Sequence, residues 1–103
     1  MRRGTTPTHT IKLPVEADEI KALSVTYKQE DQLHNVKIVK RKEDCLINGD
    51  ALSVALTQEE TLSLDHTVPV KIQVRLMTYD NKVRASDVIE RPVKPCLDDE
   101  VME

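Results

Sequence analysis

The chain has 103 residues, with 15 Lys plus Arg against 18 Asp plus Glu, hence a formal charge of −3. That length accommodates one hydrophobic core and not two. With two Tyr and no Phe or Trp, it lacks the basic, ring-bearing face of a nucleic-acid module and the exposed aromatics on which sugars stack. Twelve Val, six Ile and nine Thr make 27 β-branched residues, which weight the backbone toward strands and an all-β domain.

The start, Met1 to Thr10, has two Arg but no apolar run, so it does not read as a signal peptide. Arg2 stands where myristoylation needs Gly. No stretch approaches the roughly 20 apolar residues of a membrane span. From Thr5 to Leu13 the pattern has period two, with Thr6, Thr8, Thr10 and Lys12 on one parity and Pro7, His9, Ile11 and Leu13 on the other. This predicts a strand with an irregular entry at Pro7, ended by Pro14. Val15 to Ile20 is an acidic connector with room for one helical turn.

Ala22 to Gln29 predicts a half-buried strand, with Leu23, Val25 and Tyr27 inward against Ser24, Thr26 and Lys28. After the polar Glu30-Asp31-Gln32, alternation resumes from Leu33, Val36 and Ile38 facing one way and Lys37 and Val39 the other. The run Lys40-Arg41-Lys42-Glu43-Asp44 reads as a solvated bend. Cys45-Leu46-Ile47 and Ala51 to Leu56 flank Asn48-Gly49-Asp50. Asn-Gly between apolar runs predicts a type I′ hairpin, because both central residues of that turn need positive φ. Leu52, Val54 and Leu56 then point inward.

Thr57-Gln58-Glu59-Glu60 has the Thr-x-x-Glu form of a capping box, opening a short helix that carries Leu62 and Leu64. Val68 to Tyr79 is the longest alternation. Val68, Val70, Ile72, Val74 and Leu76 line its inner face; Lys71, Gln73, Arg75, Met77 and Tyr79 line its outer face. Asp80-Asn81-Lys82 is a turn, and Val83 to Val93 returns as a less regular strand cut by Pro92 and Pro95. These elements predict an immunoglobulin-like antiparallel β-sandwich of six or seven strands with one short helix. Residues 1–96 form the domain and 97–103 an acidic, frayed tail.

Chemistry-bearing patterns are scarce. Cys45 and Cys96 lie 51 positions apart with no Cys-x-x-Cys or Cys-His neighbour, so two thiols are expected and a disulfide is left open. His9, His34 and His66 have no nucleophile elbow near them, and the carboxylate clusters lack the spacing and Gly of a calcium loop. With two Gly there is no phosphate-cradling loop. The sequence therefore predicts no catalytic residue, metal or cofactor. What remains is surface: the outer strand face Lys71, Gln73, Arg75, Met77 and Tyr79, with Arg2 and Arg3, is the candidate partner interface, since Arg, Met and Tyr are enriched at such contacts.

Two blocks carry a family resemblance. Arg3-Gly4-Thr5-Thr6-Pro7-Thr8, running straight into an alternating strand, and Leu56-Thr57-Gln58-Glu59-Glu60-Thr61, following a hairpin, resemble small structural domains of phages and prophages of Gram-positive bacteria. These occur as short stand-alone proteins or as the N-terminal domain of upper baseplate proteins. The order strand, acidic connector, two strands, hairpin, capped helix, long strand and final strand is also similar. Asn81-Lys82 departs from the usual Gly of the final hairpin, the long strand lacks the family's aromatics, and the chain stops where a baseplate protein would continue. The resemblance implies a non-enzymatic attachment module of a tail or baseplate. Its partners would be other virion proteins or copies of itself, with no nucleic acid or membrane, in a virion assembled in the bacterial cytoplasm. The alternative is a small cytosolic regulatory or inhibitory protein encoded by a mobile element.

Overall fold

A computed structural model describes residues 1–31, 35–98 and 100–102. The expectations for Leu33 and His34, and for the last acidic position, lie outside the described residues. Two antiparallel sheets close on one core. Strands β1 (Thr8–Lys12), β4 (Leu46–Asn48) and β5 (Ala51–Ala55) form a three-stranded sheet in the order β1-β5-β4. Strands β2 (Ile20–Glu30), β3 (Asn35–Arg41), β6 (Val70–Thr78), β7 (Val83–Ala85) and β8 (Ile89–Arg91) form the other, in the order β3-β2-β6-β7, with β8 also on β6. The architecture is an all-β sandwich with one short helix, α1 (Gln58–Leu62), and 3-10 turns at Ala17–Glu19 and Lys42–Asp44.

Alternation decides what is buried. On β2, Leu23, Val25, Tyr27 and Gln29 all point inward and are buried; on β6, Val70, Ile72, Val74 and Leu76 do the same. Leu52, Val54 and Leu56 come from the other sheet, and Leu64 and Val93 complete the core. Tyr27 is its one ring, fully buried, as the composition implied.

The described residues hold eight strands rather than six or seven, because the final strand is broken. Β7 pairs with Met77–Arg75 and β8 with Ile72–Val70, so the two lie end to end along β6. The gap is bridged by Ser86, whose hydroxyl oxygen accepts from Val74 N–H at 3.0 Å and whose own N–H donates to the Val74 carbonyl at 2.8 Å.

The hairpin forms one residue later than Asn-Gly predicted. Asn48 pairs with Ala51, so Gly49 and Asp50 are the central residues. Gly49 has φ +63° and Asp50 keeps a negative φ, the pattern of a II′ turn rather than I′. The capping box forms as its spacing requires: Thr57 Oγ1 accepts from Glu60 N–H at 3.2 Å, and Glu60 Oε1 accepts from Thr57 N–H at 2.8 Å.

Met1 to Arg3 is no loose arm. It runs parallel to Pro92–Pro95, with an Arg2–Lys94 bridge. The Met1 amino group donates to the Pro92 carbonyl at 2.9 Å, Lys94 N–H to the Met1 carbonyl at 2.8 Å and Arg3 N–H to the Lys94 carbonyl at 3.0 Å. Gly4 then turns the chain at φ +76°, where a Cβ would also lie 3.4 Å from Leu62 and 3.6 Å from Cys96 Sγ.

Candidate functional site

The surface richest in convergent side chains is the outer face of the five-stranded sheet. Β2 is one of its two interior strands, and with its large apolar residues inward it turns Ser24, Thr26 and Lys28 to the sheet exterior along its middle. Β3 lies on one side and β6 on the other, in a register that sets three rungs across the face. Arg41 and Arg75 flank Ser24; Val39 and Gln73 flank Thr26; Lys37 and Lys71 flank Lys28. Short side chains in the middle and long ones on either side make a groove along β2. Two shallow depressions of about 390 and 340 Å³ share Ser24, Arg41 and Arg75 and continue one another, the second ending at Lys21, Glu43, Met77 and Val83.

Five cationic side chains line the larger depression, Lys28, Lys37, Arg41, Lys71 and Arg75, and Lys21 stands at the end of the other. Lys28 Nζ is 3.0 Å from Glu30 Oε2, and Glu90 stands opposite Lys71 on β8. Among the described residues no carboxylate pairs within 4 Å with Lys37, Arg41 or Arg75. Like charges directly opposite one another on neighbouring strands destabilise a sheet, and here Lys37, Lys28 and Lys71 stand side by side on three adjoining strands, with Glu90 next on β8.

Of the seven side chains expected at an interface, Lys71, Gln73 and Arg75 lie in the groove and Met77 closes its far end. Tyr79 does not join them. It falls beyond β6, is exposed, and donates its N–H to the Glu19 carbonyl at the sheet's end. Arg2 and Arg3 are elsewhere and engaged within the chain: Arg2 Nη1 donates to the Pro95 carbonyl at 2.9 Å, and Arg3 Nη2 to the Leu62 carbonyl at 2.8 Å.

The sequence reading missed Lys28, Lys37 and Arg41 as members of the same face. Their parity was legible, but the central place of β2 was not. The run Lys40-Arg41-Lys42, taken as one solvated bend, is divided by strand alternation. Lys40 Nζ turns inward to Glu60 Oε1 at 2.7 Å and Lys42 Nζ to the Ile20 carbonyl at 2.7 Å, while Arg41 alone reaches the groove.

The titratable groups on the core side have structural work. His9 Nδ1 and the Tyr27 hydroxyl share a hydrogen bond at 2.8 Å, with ring centroids 5.6 Å apart. Burial lowers the His9 pKa, helped by the positive N-terminus and Arg91, and burial raises that of Tyr27, helped by Cys45 and Glu60. Burial opposes ionisation of Glu60, but hydrogen bonds and charge from Lys40, with the Thr57 contacts, outweigh it and lower its pKa. Cys45 and Cys96 are both free thiols; burial and the neighbouring Asp44 raise the pKa of Cys45. Among the described residues no three His, Cys, Asp or Glu side chains gather as a metal site would require. No helix of the described residues is long and apolar enough to cross a membrane. No family model, curated protein or solved structure matches the chain.

Proposed function

We propose that this chain is a non-enzymatic assembly component of a phage or prophage tail or baseplate, docking another virion subunit in the groove along β2. One observation carries the docking reading: five cations gathered on one sheet face, three of them on a single rung. A stably folded sheet has no structural use for that repulsion, and rules of local stability are broken most often where a surface serves a partner. The groove is long, shallow and mixed in character, with Val39 and Val88 among the cations, which suits a protein surface better than a small molecule.

The tail assignment is supported by the two blocks that carry the resemblance. Arg3 ends the terminal ribbon and Gly4-Thr5 makes the tight turn that follows it, and Leu56 to Thr61 makes the capped helix after a hairpin. The test is co-expression with the products of adjoining genes. If those genes encode tail proteins, one of them co-purifies with the chain, and Arg41→Glu with Arg75→Glu abolishes the complex while the fold is retained. Adjoining regulators or recombinases would replace the tail reading with a cytosolic binding protein. A complex indifferent to the two Arg substitutions would remove the groove from it.

A further inference from the structure

The acidic end of the chain carries the charge that the groove lacks. Leu97-Asp98-Asp99-Glu100-Val101-Met102-Glu103 carries four carboxylates in seven residues. Its apolar members are on the surface, Leu97 fully exposed, Met102 at 77% and Val101 at 41%. Among its described residues, the Met102 backbone makes two hydrogen bonds with the Gln58 side chain at 2.8 and 2.9 Å, and Asp98 accepts from Cys96 Sγ at its carbonyl and from Glu100 N–H at its carboxylate, at 3.2 and 3.0 Å. Seven extended residues span roughly 23 Å, and the β2 groove from Lys21 to Lys28 is about as long.

We infer that the groove of one copy takes the acidic segment 97–103 of a second copy, joining copies head to tail. The inference rests on the reading of the groove as a docking surface and names its occupant. Four carboxylates meet five cations; the acidic residues beside the groove are Glu30, paired with Lys28, Glu90, opposite Lys71, and Glu43 at the far end. The apolar members of the segment meet Val39, Val88 and Met77. A chain does not fill its own groove: the segment is held at Gln58 on α1, and α1 contacts β3 through Lys40, on the inward parity, whereas the groove is on the outward one. Donor and acceptor surfaces differ, so the contact is heterologous and repeats from copy to copy. A nucleic-acid strand is the weaker fit, because neither ring of the chain lies in the groove.

The experiment uses the full chain at 50 and 500 mM salt, with light scattering across a concentration series. Wild type is expected to form dimers and longer species at low salt, weakened about fivefold or more at high salt, where exposed charges are screened. Arg41→Glu with Arg75→Glu disables the groove; Asp98→Asn with Glu100→Gln disables the segment. Each variant alone is expected to be monomeric, and a mixture of the two to form dimers and nothing longer, because one functional groove and one functional segment remain. A labelled peptide of residues 97–103 binds wild type and not the groove variant. Monomers under all conditions, or association by either variant alone, overturn the inference. So does a single-stranded oligonucleotide of equal charge that displaces the peptide. If copies fail to associate while the groove variant still loses a tail subunit, this inference alone falls. If both readouts ignore the groove, the docking reading falls with it.

Discussion

His9 and Tyr27 join the two sheets through a pair of polar atoms beside a core whose other apolar residues are Val, Ile and Leu. Because the folded state lowers the His9 pKa, the unfolded chain binds a proton more readily, and stability falls as the pH drops through the ordinary His value of about 6.5. Urea midpoints are expected to be level above pH 7 and to decline between pH 7 and 5, and His9→Gln should flatten that decline. Glu60 acts in a lower window: its carboxylate contribution is present above the ordinary Glu value and is lost as the pH falls through its lowered folded one. Gln29 is the other buried polar side chain of β2. Its amide donates to the carbonyls of Asp65 and Val68 and accepts from Asp65 N–H, at 2.7–2.8 Å, holding the α1–β6 connector on the core. Gln29→Leu takes away three hydrogen bonds of a buried side chain and is expected to cost about 2–4 kcal/mol in denaturant unfolding. Alternation showed that Gln29 points inward. That a distant connector supplies its partners was not legible, since no local pattern encodes it.

Elements whose signal is local were read well, and elements set by their neighbours were not. Β2, β6 and the capped α1 follow from period and spacing within a dozen residues. The hairpin shifted by one because β1 fixes the register of β5 from the other side, from Thr8–Ala55 to Lys12–Ala51. The last strand broke because Ser86 satisfies Val74 with its hydroxyl where a continuous ladder would have used backbone. The turn before it is instructive. Asn81 adopts φ +64°, a conformation that Asn tolerates and β-branched residues do not. Its N–H donates to the Thr78 carbonyl at 2.9 Å, and Lys21 reaches its Oδ1 at 3.4 Å. Asn81→Val should cost about 1–2 kcal/mol and Asn81→Gly very little, as thermal unfolding of the two variants would show.

At the scale of the whole molecule, strand order is what makes a site. Lys28, Lys37 and Lys71 are far apart in the chain and unremarkable alone; the β3-β2-β6 order puts them on one rung. Single-sequence reading recovers faces and loses adjacency between strands, which is why it found the β6 half of the groove and not the β3 half. The crowding has a measurable side. Lys37→Thr relieves repulsion at an exposed position and is expected to raise stability by about 0.2–1 kcal/mol in urea titration. The same change should weaken docking, a trade expected of a surface kept for a partner.

The ribbon between Met1–Arg3 and Pro92–Pro95 bears on mechanics. Its two segments run parallel, so tension applied through the two ends of the chain slides them past each other along their length. Their hydrogen bonds then carry load together, in shear, instead of opening one by one as a zipper does. Resistance to such force is governed by the unfolding rate and not by equilibrium stability. In single-molecule pulling, loading between residues 1 and 103 should therefore require more force than loading between positions 49 and 103, where the ribbon is not sheared. A module strung between neighbours under strain would hold best when gripped at its ends.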